Sequence, residues 1–358
     1  YGDAYGSADV TITAKAISIG IKSASKVYGE ADPSFEKASI SQYIGDDLDG
    51  ISLEVIRSDA GNDELGIHED VLVIGKTVKE LDETYTNYRF AIYPGDFTIK
   101  SNDSLSVSAS DVKKVYDGNG YGVEPVSVPS GATITYRDAD GKYTLTESPT
   151  RTNVGTTKVE FKASLYGYDA AYGSADVTIT AKEVSITAAD AGKVYGEADP
   201  SFADAVISEY VGSELSGIDL SVSRSDAGDD GLGTHEGVLN IGKTAAELDA
   251  EYTNYRFTVV AADFTITQNE NGLSVDAADV IKTYDGNSYG VEPLSVPSGA
   301  TITYKDAEGN YTLTESPVRR DVGTTKVEFK ASLYGYGDAY GSADVTITAK
   351  EVSITAAD

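Results

Sequence analysis

The stretch that decides the fold is Lys26–Phe35, which reads KVYGEADPSF and returns without change at Lys193–Phe202. The second copy begins 193 − 26 = 167 residues after the first. A related motif, KVYDG at 114–118, returns as KTYDG at 282–286. Self-similarity at a long fixed period is typical of tandem arrays of small domains. Each period holds two kinds of segment, which we name type one after the first motif and type two after the second.

A third repeated stretch sets the ends of the segments. The sequence AYGSADVTITAK occurs three times and ends at Lys15, Lys182 and Lys350. We therefore expect the chain to be part of a longer array. The expected division is the closing strand of a preceding type-two domain at 1–15, type-one domains at 16–100 and 183–267, type-two domains at 101–182 and 268–350, and the opening strand of a following type-one domain at 351–358.

Period-two alternation of apolar and polar residues predicts β-strands in both kinds of segment. Asp96–Ile99 and Lys158–Lys162 are examples, and both contain β-branched or aromatic residues at the apolar positions. The sequence RDADGK at 137–142 predicts a hairpin turn between two such strands. A threonine followed three residues later by a glutamate predicts a short helix at 76–82 and again at 243–249.

These patterns together predict an all-β chain of tandem small β-sandwich domains, Ig-like or β-grasp-like, with one short helical turn in each type-one domain. Apolar positions alternate through Val177–Ile186, across an expected domain boundary, without any glycine or proline. Such a joint is stiffer than a linker rich in glycine and serine. The domains are therefore expected to follow one another in a rod.

The composition excludes several classes of function. Lysine and arginine number 28 against 58 aspartates and glutamates, which gives a formal net charge of −30. This charge repels nucleic acid and anionic lipid, and no apolar run approaches the roughly 20 residues of a membrane span. Cysteine, methionine and tryptophan are absent, so disulfides and thiol catalysis are excluded. The lack of easily oxidised side chains suits a long-lived extracellular protein.

Nothing in the sequence predicts an enzyme. The two histidines, His68 and His235, are repeat equivalents in different domains, and each is followed by a glutamate. No G-x-S-x-G, H-E-x-x-H or P-loop pattern is present. We expect both histidines to be structural, with no catalytic residue and no bound cofactor other than the calcium considered next.

Two acidic loops are the candidate metal sites. Each loop places three oxygen-bearing side chains around a glycine, and Ca²⁺ takes 6–8 oxygen ligands. A solvated turn is the alternative, because the spacing falls short of an EF-hand. The candidate calcium ligands are Asp59, Asn62, Asp63, Asp226, Asp229 and Asp230.

Tyrosine is the over-used aromatic residue, with 25 tyrosines against 8 phenylalanines. Three of them stand in a glycine-rich stretch before the closing strand of each type-two segment. Amphipathic aromatic rings serve sugar recognition and domain contacts equally well, so both interpretations are open. The residues concerned are Tyr166, Tyr168, Tyr172, Tyr334, Tyr336 and Tyr340.

A cross-link without sulfur is also open. Lysine and asparagine are present at equivalent positions in both type-one segments, as Lys26 with Asn87 and as Lys193 with Asn254. An isopeptide bond between them would require the two side chains to lie beside a buried acid, which the sequence alone does not show.

Short motifs carry a resemblance to two families. The type-one segments, with KVYGEADPSF near the start and Asn87-Tyr88 before the final strand, resemble the MBG domain of bacterial surface proteins and adhesins. The type-two segments, with KVYDG and KTYDG, resemble the YDG domain that accompanies it. The resemblance implies a secreted protein associated with the bacterial cell surface or cell wall, and it implies no catalytic residue. His68 and His235 depart from the aromatic residue common at that position.

The sequence thus favours a structural stalk or fibre repeat that projects a binding head from a bacterial cell. The alternative is a multivalent adhesin repeat that binds glycan or mucin, since many weak copies give avidity. The expected partners are adjacent repeats of the same chain, neighbouring chains of a fibre, and glycan or mucin.

Overall fold

The computed structural model describes residues 1–355 and divides the chain into two compact units, Tyr1–Thr180 and a second unit that begins at Ala181. Strands hold 44% of the residues and helices 4%, which confirms the predicted all-β class. Each unit contains one type-one and one type-two segment. The boundaries of the six segments remain predictions.

The type-one segment of the first unit forms two sheets and one helix. The first sheet has the order β3-β1-β6 and the second has the order β2-β7-β5-β4. The elements are β1 (Lys15–Gly20), β2 (Ala24–Val27), β3 (Ser39–Ile40), β4 (Val55–Arg57), β5 (Gly66–Ile74), α1 (Val78–Thr84), β6 (Tyr88–Tyr93) and β7 (Gly95–Lys100).

The two sheets of this segment bury alternate residues of their strands. Ile17 and Ile19 of β1 and Phe90 of β6 belong to one core cluster, and Leu72 of β5 and Phe97 of β7 belong to another. The side-chain period of two explains why every second residue is apolar. The apolar alternation in the sequence therefore marks the inward faces of both sheets.

The predicted helix of the type-one segment is present. Thr77 caps α1 by accepting a hydrogen bond from the Glu80 backbone N–H, and the Glu80 side chain accepts one from the Thr77 N–H in return. This reciprocal pair satisfies two backbone donors that a helix start leaves free. Leu81, which is 3% exposed, packs the helix against the core.

The type-two segment of the first unit forms a five-stranded and a two-stranded sheet. The five-stranded sheet has the order β12-β11-β13-β14-β9, and β10 pairs with β8. The elements are β8 (Ser106–Ser108), β9 (Val112–Val115), β10 (Val126–Val128), β11 (Thr133–Arg137), β12 (Tyr143–Leu145), β13 (Gly155–Ser164) and β14 (Ala171–Thr180).

The hairpin predicted at 137–142 joins β11 to β12. Asp138 accepts hydrogen bonds at its side chain from the backbone N–H groups of Asp140 and Lys142, and Gly141 adopts a φ of +82°. Aspartate and glycine are the residues that such a turn favours. The acidic side chain at this tip is thus used to form the turn.

The second unit repeats the elements and sheet orders of the first. Its capping box is formed by Thr244 and Glu247. Its type-one elements are β15 (Lys182–Thr187), β16 (Ala191–Val194), β17 (Val206–Ile207), β18 (Val222–Arg224), β19 (Gly233–Ile241), α2 (Ala245–Glu251), β20 (Tyr255–Val260) and β21 (Ala262–Thr267), and its type-two elements are β22 (Ser274–Asp276), β23 (Val280–Thr283), β24 (Leu294–Val296), β25 (Thr301–Lys305), β26 (Tyr311–Leu313), β27 (Gly323–Ser332) and β28 (Ala339–Thr348).

The two terminal stretches were expected to contain strands. Residues 1–14 and 351–355 form no regular element in the structure. The last three residues of the expected strand at 351–358 lie outside the described residues. An apolar strand pairs stably only where a neighbouring strand supplies its hydrogen bonds, and these stretches have no such neighbour among residues 1–355.

Candidate functional site

The first candidate site is the joint between the type-one and type-two segments within each unit. In the first unit, Tyr28 follows β2 directly, and its ring contacts two tyrosines of the type-two loop between β13 and β14. The ring centroids of Tyr28 and Tyr166 are 5.7 Å apart, and those of Tyr28 and Tyr168 are 5.8 Å apart, with interplanar angles of 86° and 72°. Edge-to-face pairs contribute about 0.5–1.5 kcal/mol each, so Tyr28 is held by two such contacts.

Gly167, between the two loop tyrosines, allows this close approach. Its φ is +87°, and a Cβ placed on it would lie 2.2 Å from the Tyr28 ring. No other residue type fits there without displacing the ring, because real Cβ atoms do not come so near. The Tyr-Gly-Tyr order of the loop is therefore required by the contact.

Asn102 links the two segments through hydrogen bonds. Its side-chain amide donates to the Tyr28 carbonyl at 3.0 Å. Its backbone N–H donates to the Gly167 carbonyl at 2.9 Å, and its own carbonyl accepts from the Asp169 N–H at 2.9 Å. The Tyr166 hydroxyl also accepts from the Leu65 N–H at 3.3 Å. The joint thus combines ring contacts with directional bonds.

The second unit has the same joint. Tyr195 contacts Tyr334 at 5.6 Å and Tyr336 at 5.5 Å between ring centroids. A Cβ on Gly335 would lie 2.2 Å from the Tyr195 ring, and the Asn269 amide donates to the Tyr195 carbonyl at 3.2 Å. Four of the six candidate tyrosines, Tyr166, Tyr168, Tyr334 and Tyr336, therefore lie in joints.

The remaining two candidate tyrosines lie elsewhere. Tyr172 belongs to β14 and contacts Tyr143 of β12, and Tyr340 contacts Tyr311 in the second unit. Tyr172 and Tyr340 are each 61% exposed. The structure thus separates the tyrosine-rich stretch into a joint part and a surface part.

The second candidate site is the acidic loop after β4, which surrounds two buried cations. The Arg57 side chain is 1% exposed and donates from Nε to the Asp59 carboxylate at 2.7 Å. Its guanidinium also lies 4.4 Å from the centre of the Phe97 ring. Lys26 Nζ lies 2.6 Å from Asp63 and 2.9 Å from Asp32. Paired and hydrogen-bonded charges are the form in which burial is tolerated.

Lys26 is therefore an ion-pair residue. The hydrogen bonds to Asp63 and Asp32 raise the pKa of its ammonium above the ordinary value. A lysine must lose its proton before it can attack a carboxamide. This environment opposes the chemistry of the isopeptide cross-link considered with Asn87, whose backbone carbonyl accepts from the Lys15 N–H.

His68 bridges two residues of the acidic loop. Its Nδ1 lies 2.6 Å from the Asp59 carboxylate and its Nε2 lies 2.8 Å from the Glu64 carbonyl. Both partners are acceptors, so both ring nitrogens donate only when the ring is protonated. The bond to the Glu64 carbonyl, together with the Asp59 carboxylate, raises the pKa of the imidazole against the opposing effect of burial. Both ring nitrogens of His68 thus contact acceptors of its own loop, as do those of His235 with Asp226 and the Gly231 carbonyl.

These contacts bear on the predicted calcium ligands. Asp59 and Asp63 already face Arg57, His68 and Lys26, and the Asn62 carbonyl accepts from Arg57. A calcium ion would have to displace these cations. The calcium site remains a prediction that the contacts disfavour.

The second copy of the acidic loop brings three ligand-type residues together. Oxygen or nitrogen atoms of Asp226, Asp229 and His235 lie within 4.8 Å of one another. The Arg224 guanidinium, however, is hydrogen-bonded to Asp226 and holds the pKa of that carboxyl below its ordinary value. Asp230 is paired with Lys193 at 2.6 Å. The positive charge at this loop is therefore supplied by the chain itself.

Sequence reasoning missed several residues of both sites. Tyr28, Leu65 and Asn102 carry no local pattern that indicates a joint. The Tyr-Gly pair in the loop of each type-two segment was a usable signal. Arg57 was missed because a lone arginine at the end of a short strand carries no pattern that predicts burial. Only tertiary contacts show that it is buried.

The segments can be compared with known families and structures. Residues 184–265 match the family model of the MBG domain, YGX type. This match confirms the resemblance predicted for the type-one segments over the second of them. The YDG resemblance of the type-two segments remains a prediction. No curated protein sequence matches the chain.

Several solved structures resemble the chain. They include the human desmocollin-1 ectodomain (12% identity, TM-score 0.26, 72% of this chain and 64% of that one), Drosophila N-cadherin EC1-4 (11%, 0.23, 94% and 100%) and the protocadherin gammaB7 EC3-6 cis-dimer (8%, 0.33, 92% and 98%). The chain spans 64% of the desmocollin-1 ectodomain and also 64% of the Sidekick-1 chain of immunoglobulin domains 1-5.

Among the described residues, neither helix has the length and apolar character needed to cross a membrane.

Proposed function

We propose that the chain is a load-bearing stalk segment of a bacterial cell-surface protein, and that it holds a binding head away from the cell. The observation that carries this proposal is the parallel pairing of early and final strands in both kinds of segment. In the type-one segment, β1 is parallel to β6 and β2 is parallel to β7. In the type-two segment, β9 is parallel to β14.

Parallel pairing determines how a segment meets tension. Two parallel neighbours point the same way, so a pull on the early strand and an opposite pull on the final strand slide them past each other. All the hydrogen bonds between them are then loaded together, and several must break at once. The two chain ends of an antiparallel hairpin instead lie side by side, so pulling them apart breaks the hydrogen bonds one at a time. Forced unfolding is governed by the unfolding rate, which the first geometry lowers.

The joints support the same role. Each type-one segment is fixed to the type-two segment of its unit by two edge-to-face tyrosine contacts and by the hydrogen bonds of Asn102 or Asn269. A joint fixed in this way transmits force and direction from one segment to the next. The MBG match at 184–265 supports the cell-surface location, which belongs to the proposal.

Single-molecule force spectroscopy tests the stalk. The chain contains no cysteine, so engineered cysteines give unique attachment points. One pair, Asp103→Cys with Ala181→Cys, applies tension along the parallel strands β9 and β14. A second pair, Asp140→Cys with Ala181→Cys, applies tension through the hairpin tip between β11 and β12 and peels the sheet. The first geometry should unfold the segment at a clearly higher force.

Equal forces in the two geometries, or a lower force along the parallel strands, would contradict the load-bearing role. A matched variant, Val177→Ala, removes a fully buried side chain of β14 and should lower the force in the first geometry more than in the second. Val177 is 0% exposed.

A second candidate function is a multivalent glycan- or mucin-binding repeat. One observation favours it, namely that Tyr172 and Tyr340 are largely exposed and belong to no joint. The two functions are compatible, since they use different surfaces.

A further inference from the structure

Two tyrosines from non-adjacent strands meet on the surface of each type-two segment. In the sheet order β12-β11-β13-β14, two strands separate β12 from β14. The ring centroids of Tyr143 on β12 and Tyr172 on β14 are nevertheless 5.3 Å apart. Neighbouring strands lie about 4.8 Å apart, so both side chains must extend over the strands between them. The rings thus lie over the sheet surface.

The strand register shows which face of the sheet carries the rings. Tyr172 is opposite Lys162 on β13, and Tyr143 is opposite Arg137 on β11. Directly paired residues share a face. Phe161, the neighbour of Lys162 along β13, is 0% exposed and points into the core, so the tyrosines lie on the opposite, solvent-facing side. This outer face is not used by the joint.

Charged side chains lie on the same face as the rings. Arg137 forms an ion pair with Glu160 across β11 and β13, and these side chains are 46% and 37% exposed. The same two residues line a cleft of about 350 Å³ with Asp138 and Lys158. Hydrogen-bond donors and acceptors are therefore available directly beside the aromatic surface.

The second type-two segment repeats the arrangement. The ring centroids of Tyr311 and Tyr340 are again 5.3 Å apart. Lys305 replaces the arginine and pairs with Glu328 at 2.9 Å, and both line a cleft of about 330 Å³. The chain thus holds two copies of one surface.

We propose that this outer face binds neutral oligosaccharides. A pyranose ring has a face of C–H groups and a rim of hydroxyls. The C–H face packs on the Tyr172 ring beside Tyr143, and the hydroxyls exchange hydrogen bonds with the Arg137–Glu160 pair that lines the cleft. Aromatic rings with a polar group nearby are suited to ligands that are apolar on one side and wet on the other. The proposal rests on the second candidate function and is independent of the stalk.

Charge and area select this ligand over others. The formal net charge of −30 repels sulfated and sialylated sugars. A protein partner would need about 800 Å² on each side, whereas the patch amounts to two tyrosine rings and one ion pair. A neutral sugar of two to four rings fits both limits. Two copies on one chain then allow avidity on a surface that presents many such sugars.

Isothermal titration of the full chain tests the proposal. The probes are cellotetraose, maltotetraose, chitotetraose and lacto-N-tetraose, with 3′-sialyllactose as the anionic comparison. At least one neutral probe should bind the wild type. The double variant Tyr172→Ala with Tyr340→Ala should weaken this binding by about tenfold or more, the loss typical of a central aromatic contact.

The joint tyrosines provide the matched control. Tyr166 and Tyr334 are 63% and 64% exposed, nearly the same as Tyr172 and Tyr340, but they belong to the joints. Tyr166→Ala with Tyr334→Ala should leave the affinity unchanged. Glu160→Gln with Glu328→Gln keeps the rings and should still weaken binding, which covers the case in which the alanine variant fails to fold.

Three results would overturn the proposal. The first is that no neutral probe binds the wild type at millimolar concentration. The second is that the joint variant loses binding while Tyr172→Ala with Tyr340→Ala retains it. The third is that the sialylated probe binds more tightly than every neutral one. None of these results affects the force measurements, so failure here and failure of the stalk are distinguishable.

Discussion

The tyrosine joint makes a quantitative prediction about one glycine. Gly167→Ala places a Cβ 2.2 Å from the Tyr28 ring in a backbone with φ of +87°. The left-handed conformation itself costs an alanine about 1–2 kcal/mol. The ring must also move away, which removes two edge-to-face contacts that together contribute about 1–3 kcal/mol. The joint should therefore open more readily in Gly167→Ala than in the wild type.

Gly131→Ala is the matched control for this substitution. Gly131 has a φ of +94°, and a Cβ placed on it meets nothing within 4 Å. It therefore carries the same conformational cost without the ring contact. The difference between the two variants isolates the joint.

Hydrogen exchange followed by mass spectrometry measures this difference. The reporters are the Asn102 N–H, which donates to the Gly167 carbonyl, and the Asp169 N–H, which donates to the Asn102 carbonyl. A loss of 1–3 kcal/mol at the joint accelerates their exchange about 5- to 150-fold in Gly167→Ala. Gly131→Ala should leave both amides near the wild-type rate. Equal acceleration in the two variants would show that the tyrosine contacts do not hold the joint.

Three further predictions concern the charged loop and the helix. Protonated His68 stabilises the loop, and the pKa of its imidazole is raised in the folded state. This stabilisation is therefore complete below about pH 6.5 and is lost as the pH rises through the folded pKa. Amide hydrogen exchange at residues 58–65 should speed up with pH beyond its intrinsic rate, and His68→Gln should remove that dependence. Calcium should raise the melting temperature no more than magnesium at equal ionic strength, because Arg57 and Lys26 already neutralise the loop; a saturable rise abolished by Asp63→Ala with Asp230→Ala would contradict this. Thr77→Ala should destabilise its segment by about 1 kcal/mol in urea, whereas Thr77→Ser should be nearly silent; equal losses would refute the capping role.

Local signals explain what could be predicted from the sequence. The helix at α1 depends on Thr77 and Glu80, which are three residues apart, and the hairpin between β11 and β12 depends on Asp138 and Gly141. Strand alternation depends only on the pleat. Each of these features is encoded within a few residues, so each could be recognised without knowing the fold.

Long-range features could not be predicted in the same way. The parallel pairing of β2 with β7 joins Ala24 to Phe97, and no local pattern specifies such a partner. The burial of Arg57 requires Phe97 below it and Asp32 beside it. The three candidate tyrosines of each unit stand close together in sequence, but only the positions where one long strand ends and the next begins determine which of them contact the joint and which lie on the sheet.

Deamidation of Asn102 would weaken the joint over time. Deamidation would turn its side-chain amide, which now donates to the Tyr28 carbonyl, into a carboxylate that faces the same oxygen, so an attraction would become a repulsion. The reaction requires the backbone nitrogen of Asp103 to reach the asparagine side chain. The hydrogen bonds at the Asn102 amide, carbonyl and side chain hold the residue in one conformation and oppose that approach. Deamidation of Asn102 is therefore slow while the joint is closed. Each opening exposes Asn102 to deamidation, which would weaken the joint permanently.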